Sequence, residues 1–177
     1  ADHALLQIDN MTVTDAQNWN CFYAGWDNSD AQTVTQATGI HHPSGDVKKI
    51  CREDQAPYHT SAGGPAAQVW MIDDWDQGVT EPGSSGSPLF GQNGRIIGQL
   101  YGGAAACSGT NDNNQLDYYG RLGVSWPLGI GTYLAPGTCG TSTTNDGWDP
   151  NAPSLPDDAS ISAIVTPTGF SCSGTIN

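Results

Sequence analysis

The sequence predicts an all-β fold, built as an antiparallel barrel or sandwich. Three observations lead there. Short stretches rich in β-branched and aromatic residues alternate with clusters of turn residues, and helical periodicity is scarce. Twenty-three glycines and 11 prolines are more than a helical chain of 177 residues tolerates. The tetrapeptide Gly91-Gln92-Asn93-Gly94 sits between two apolar runs and is a strong hairpin signal, because Asn-Gly accepts the positive φ of tight turns. The length suits one sizeable domain.

The elements follow in order. Residues 3–9, "HALLQID", run apolar as a buried strand does. Residues 20–27, "NCFYAGWD", and 33–43, "TVTQATGIHHP", are strand candidates separated by the "NSD" turn. Residues 46–54 follow after a turn at Gly45, then 66–75, "AAQVWMIDDW". "SPLFG", "RIIGQLYGG" and "LDYYGRLGVSW" complete the set, and residues 128–137 form a short terminal helix. Composition changes near Gly137, so residues 1–136 are expected to form the domain. Residues 137–177 are then a Pro/Ser/Thr-rich linker leading into the start of a further β module. The chain opens inside a strand-like stretch, as a mature or cut piece of something longer would.

Charge narrows the partners. Five basic residues face 18 acidic ones, giving a formal net charge of -13. Such a polyanion does not seek nucleic acid or an anionic membrane surface. No apolar run is long enough to cross a bilayer. Five cysteines at positions 21, 51, 107, 139 and 172 lack metal-ligand spacing, so neither a metal nor a cofactor is expected. Scattered as they are, they suggest disulfides and an oxidising, extracellular compartment.

The stretch Gly83-Ser84-Ser85-Gly86-Ser87-Pro88 carries the chemistry. Small residues in a tight turn present a hydroxyl with backbone N–H groups around it, but a serine is a poor nucleophile until a base takes its proton. Residue order decides among serine-hydrolase architectures. All four histidines, at 3, 41, 42 and 59, precede Ser85. An α/β-hydrolase places its histidine after the serine, and its G-x-S-x-G elbow fails at Ser87. Subtilisin order is formally met by Asp2, a middle histidine and Ser85, but it needs a parallel sheet with helices. Chymotrypsin order, His-Asp-Ser, fits if the histidine lies upstream of Ala1.

The same hexapeptide resembles the G-D-S-G-G-P pattern of chymotrypsin-like serine proteases. "GIHHPSGDVKKI", "GVTEPGSSGSP", "IGQLYGG" and "DYYGR", in this order, are similar to the bacterial lysyl endopeptidases, over residues 1–136. The resemblance implies a trypsin-like antiparallel barrel, comprising the C-terminal barrel and the last part of the N-terminal one. It implies Ser85 as nucleophile, Asp2 as orienting carboxylate, and an oxyanion hole from the backbone N–H groups of Gly83 and Ser85. Asp117 becomes the base of a pocket for a substrate lysine, since a carboxylate in a partly dry site pairs well with an ammonium. Tyr101 and Gly102 wall the site. Tyr101 stands where lysine-specific members carry histidine, which leaves arginine open as an alternative. Trp75 is assigned to the substrate groove, with plain core as the competing role. Ser84 replaces the aspartate of trypsin zymogens, so the oxyanion hole is expected to form without that ion pair. His41 and His42 are adjacent on a strand and point to opposite faces, which argues against one metal between them.

The implied protein is a secreted serine endopeptidase acting on proteins or peptides, with an N-terminal protease fragment supplying the catalytic histidine. The alternative is a catalytically inactive, protease-like binding module. The strands after Cys21 and before Cys51 are expected to be neighbours. A Cys21–Cys51 bridge would then contribute roughly 3–4 kcal/mol. A Cys139–Cys172 bridge would tie down the tail. The family pairs the equivalent of Cys107 with a cysteine near the enzyme's N-terminus, so Cys107 is expected to be unpaired within this chain.

Overall fold

The computed structural model describes residues 3–31, 33–62, 67–108, 111–136 and 142–152, without the side chain of Asn111. A capped helical turn comes first. Thr12 accepts from the Asp15 N–H, and the Asp15 carboxylate accepts from the Thr12 N–H, a reciprocal box that opens α1 (Val13–Asn18). Strands then follow as β1 (Gly25–Asp27), β2 (Ala37–His41), β3 (Lys49–Glu53), β4 (Tyr58–Ser61), β5 (Gln68–Ile72), β6 (Pro88–Gly91) and β7 (Arg95–Gly103). A two-strand ribbon of β8 (Cys107–Ser108) and β9 (Asn111–Asp112) precedes β10 (Asp117–Arg121). Two short helices, α2 (Leu122–Ser125) and α3 (Ile130–Leu134), and then β11 (Thr144–Asn145) complete the order.

The fold is all-β. The main sheet runs β3-β2-β6-β7-β10-β5-β4, antiparallel at every step, and β1 joins β7 in parallel. The end strands β3 and β4 do not pair with each other. Instead Arg52 and Gln77 exchange two backbone hydrogen bonds, at 2.8 and 3.1 Å, and so join β3 to the segment after β5. Inward residues from both margins therefore share one core, which includes Cys51, Trp70, Trp75, Leu89, Leu100 and Tyr119. In β2 burial alternates residue by residue, as expected where one face of a sheet is dry. A second cluster packs Leu122, Ile130 and Ala135 against Trp26.

Several expectations change. Residues 3–9 form no strand, and Leu6 and Ile8 are 87% and 75% exposed. Pattern can mark a strand, but a strand also needs a neighbour to take its hydrogen bonds. "LDYYGRLGVSW" is strand only to Arg121 and turns helical at Leu122. β4, "YHTS", lacked a clear apolar pattern because it is an edge strand, paired only with β5. The β6–β7 hairpin forms as expected, with Gly94 rather than Asn93 taking the positive φ, at 69°. Residues 128–137 hold the expected helix as α3. Of the stretch read as linker, residues 144–145 pair with β1 as β11, and Tyr23 and Trp148 exchange backbone hydrogen bonds. The further module and the Cys139–Cys172 pair lie outside the described residues.

The Cys21–Cys51 bridge is not formed, since both cysteines are free, as is the exposed Cys107. The reason is topological. β1, which follows Cys21, pairs with β7 and β11 rather than with β2 or β3. Cys51 points inward opposite Gly39, and burial pushes its thiol up to about 12, so it stays protonated in the core.

Glu53, beside the Arg52–Gln77 closure, is only 5% exposed. Loss of water is the main force raising its carboxyl to about 7, aided by Asp76 and Asp74 and opposed by the Gln55 N–H that donates to it. A carboxyl raised on folding favours the fold when protonated. That contribution is full below about 4.5 and is lost as pH rises through about 7. Glu53→Gln keeps the shape without the buried charge. It should raise the Tm above pH 7 and flatten the loss of stability between the two values, as thermal melts across that range would record.

Candidate active site

The serine turn is shaped by two glycines. Gly83 and Gly86 have φ of 96° and 84°, conformations that a side chain resists. Within the turn, the Ser84 N–H donates to Glu81 O and the Ser87 N–H to Ser84 O, each at 3.1 Å. The turn is tied to β7 by two further bonds of 2.8 Å, Gly86 N–H to Leu100 O and Leu100 N–H to Ser87 O. The N–H groups of Gly83 and Ser85 take no such partner among the described residues. Ser85 is exposed, and no described histidine hydrogen-bonds its Oγ. Ser84 is the opposite case. It is 2% exposed, and its Oγ lies 2.9 Å from His41 Nδ1.

The histidines separate as alternation requires, His41 buried and His42 exposed. Burial holds the His41 ring below its ordinary pKa, and its Nε2 has no partner. His59 lies on β4 against Trp70, beside Asp30, which is paired with Arg121. Asp2 lies outside the described residues. Among the described residues no group of three or more His, Cys, Asp or Glu side chains could hold a metal, and no helix is long and apolar enough to cross a membrane.

Asp117 begins β10 and is 1% exposed. Thr80 Oγ1–H and Trp75 Nε1–H both donate to its Oδ2, at 2.6 and 2.8 Å. Burial holds its carboxyl above the ordinary carboxylate range. The bonds from Thr80, Trp75 and the Ala105 N–H pull in the other direction. No basic side chain among the described residues pairs with it. Trp75 is a buried core residue, the competing role given for it, and its indole grips Asp117. Gly102 and Tyr101 lie at the end of β7, opposite Tyr118. The register shift there leaves Tyr101 as the extra residue of a bulge, half-exposed, with its ring 5.4 Å from that of Tyr118.

Thr80 and Gly103 were not visible as site residues in the sequence. Thr80 stands five positions before Ser85, and only its Oγ1 marks it. Gly103 pairs with Asp117 so closely that a Cβ there would fall on Asp117 Oδ1.

The all-β sheet thus carries an exposed serine in a double-glycine turn and, at the start of β10, a buried carboxylate. A family model described as "Lysyl endopeptidase, C-terminal domain" matches residues 1–120, and the chain belongs to that family. The lysyl endopeptidase of Pseudomonas aeruginosa is 32% identical over 119 residues, 65% of this chain and 25% of the relative. The chain thus spans about a quarter of that relative's length. Among solved structures, the Ser343Ala mutant of Rv3671c from Mycobacterium tuberculosis, in an inactive form, aligns with a TM-score of 0.41 and 19% identity. The alignment covers 58% of this chain and 50% of that one.

Gly103→Ala tests how Asp117 is held. The added methyl meets Asp117 Oδ1 and also the backbone at Leu116 O and Asp117 Cα, so the carboxylate and the start of β10 must both shift, at a cost of at least roughly 1–3 kcal/mol, the range typical of overpacking. Denaturant unfolding should record the loss, and the tryptophan emission of the folded protein should change.

Proposed function

We propose that this chain is the C-terminal portion of a secreted serine endopeptidase that cleaves after lysine. Ser85 is the nucleophile, and the N–H groups of Gly83 and Ser85 receive the charge that builds on the substrate carbonyl oxygen. Asp2 orients a histidine carried by an N-terminal portion of the enzyme, and that histidine is the general base. The observation that carries the reading is Asp117. It is a buried carboxylate with two fixed donors and no cation of its own among the described residues, where a lysine ammonium would supply the missing positive charge.

Two features support the division of labour. The amides of Gly83 and Ser85 are uncommitted while their neighbours are bonded. Leu6 and Ile8 are exposed in a segment that belongs to the family match, as an apolar strand separated from its barrel would be. The partner is accordingly an N-terminal protease segment that covers residues 5–8 and brings the histidine to Ser85. The bulged Tyr101 borders the substrate, and because it stands where lysine-specific members carry histidine, arginine is kept as a second residue before the cleaved bond.

Ser85→Ala should abolish turnover and labelling by a fluorophosphonate in the complete enzyme. Turnover that persists with Ser84 and Ser87 intact would refute the assignment. Failure of the unaltered enzyme to label would instead favour an inactive binding module.

Asp117→Asn should weaken cleavage after lysine far more than cleavage after neutral residues. In the unaltered enzyme, kcat/KM on lysyl substrates should fall on acidification with an apparent pKa above the ordinary aspartate value. The buried carboxyl retains its proton to a higher pH and cannot then bind a cation. The histidine base gives both enzymes an acid limb, so the readout is the ratio of kcat/KM on lysyl to neutral substrates, which should fall on acidification in the unaltered enzyme and stay flat in the variant.

A further inference from the structure

We propose that His41 is a positioning residue for the nucleophile turn, acting through Ser84. This rests on the proposed role of Ser85. His41 ends β2, on the inner face of the sheet, and its Nδ1 meets Ser84 Oγ at 2.9 Å with both side chains buried. Ser84 lies between the two residues whose amides are uncommitted. A side chain that fixes Ser84 therefore fixes the planes of the peptides on either side of it.

The contact is one of several from the same segment. Past His41 the chain folds back. The Ser44 N–H donates to Pro82 O at 2.7 Å, and Ser44 itself adopts a φ of 50°, uncommon for a residue with a side chain. A Cβ on Gly83 would stand 3.1 Å from Ser44 N, so the two segments touch through backbone. Residues 41–44 thus brace Pro82, Gly83 and Ser84 from below, while Leu100 holds Gly86 and Ser87 from the other side.

The His41 ring serves as a neutral spacer. Its Nε2 is buried without a hydrogen-bond partner among the described residues, so a second proton would create a charge with no described group to receive its N–H. The Glu81 N–H also reaches Ser84 Oγ, at 3.4 Å, so this hydroxyl gathers the backbone before the turn and the ring beneath it. In an enzyme whose residue 84 is serine, a neutral hydrogen bond to a buried imidazole does the locking that a carboxylate at this place would do through an ion pair.

The test uses the complete enzyme with His41→Leu, His41→Asn and Ser84→Ala. Asparagine can place a polar atom close to the position of Nδ1, and leucine cannot. A misplaced catalytic group can lose up to about a hundredfold in rate. Leucine at 41 and alanine at 84 should lower kcat and the rate of fluorophosphonate labelling by roughly 10- to 100-fold. KM for lysyl substrates should change less than about twofold, since Asp117 is untouched. The double variant should be no worse than either single one, and asparagine should restore most of the rate. A folded Ser84→Ala enzyme with unchanged kcat, or a loss confined to KM, would overturn the proposal. Amide hydrogen exchange across residues 83–87 gives a readout independent of proteolysis. Faster exchange in Ser84→Ala supports the brace even if the unaltered enzyme cleaves nothing, and unchanged exchange refutes it even if cleavage after lysine is established.

Discussion

The burial of one carboxylate, Asp117, organises the centre of this molecule. An isolated charge in a dry interior is unfavourable unless fixed donors replace its water. Here Trp75 and Thr80 supply them, and they come from the chain just after β5 and just before the serine turn. Those two bonds link β10, the segment between β5 and β6, and the approach to Ser85 into one unit. Gly103 completes it by having no side chain where the carboxylate must sit. The arrangement fixes Asp117 without pairing it to a basic side chain among the described residues, as the proposed pocket requires.

The serine turn depends on that frame from above and on residues 41–44 from below. Two positive-φ glycines bend it, four backbone hydrogen bonds in and around it hold it, and the two amides without a backbone partner among the described residues flank Ser84. Under the proposed function, the turn is thereby shaped before any substrate arrives. Preorganised donors of this kind stabilise developing charge more effectively than water does, because they need not reorient during the reaction.

Much of the architecture was legible in the sequence, because β-branched runs and turn residues report local preference directly. β2, β5, β6 and β7 and the glycine hairpin between the last two fall where those signals place them. What failed depended on partners distant in sequence. Residues 3–9 carry a strand pattern but find no neighbour. Cys21 and Cys51 are separated because β1 joins β7, a parallel pairing that local pattern does not encode. The site was legible in its residue types at Ser85 and, through family resemblance, Asp117. The second layer was not. Thr80, Gly103 and the inward His41 look ordinary until the structure shows what each one touches, and the bond from Trp75 to Asp117 is equally invisible to local pattern.

The double duty of Trp75 bears on how such a protein can change over time. Its rings belong to the core while its N–H holds the carboxylate, so substitutions there disturb the packing and the proposed pocket together. Thr80 carries a smaller share of the packing and an equal share of the hydrogen bonding. A substitution that retunes the proposed pocket while sparing the core is therefore easier to accommodate at position 80 than at position 75.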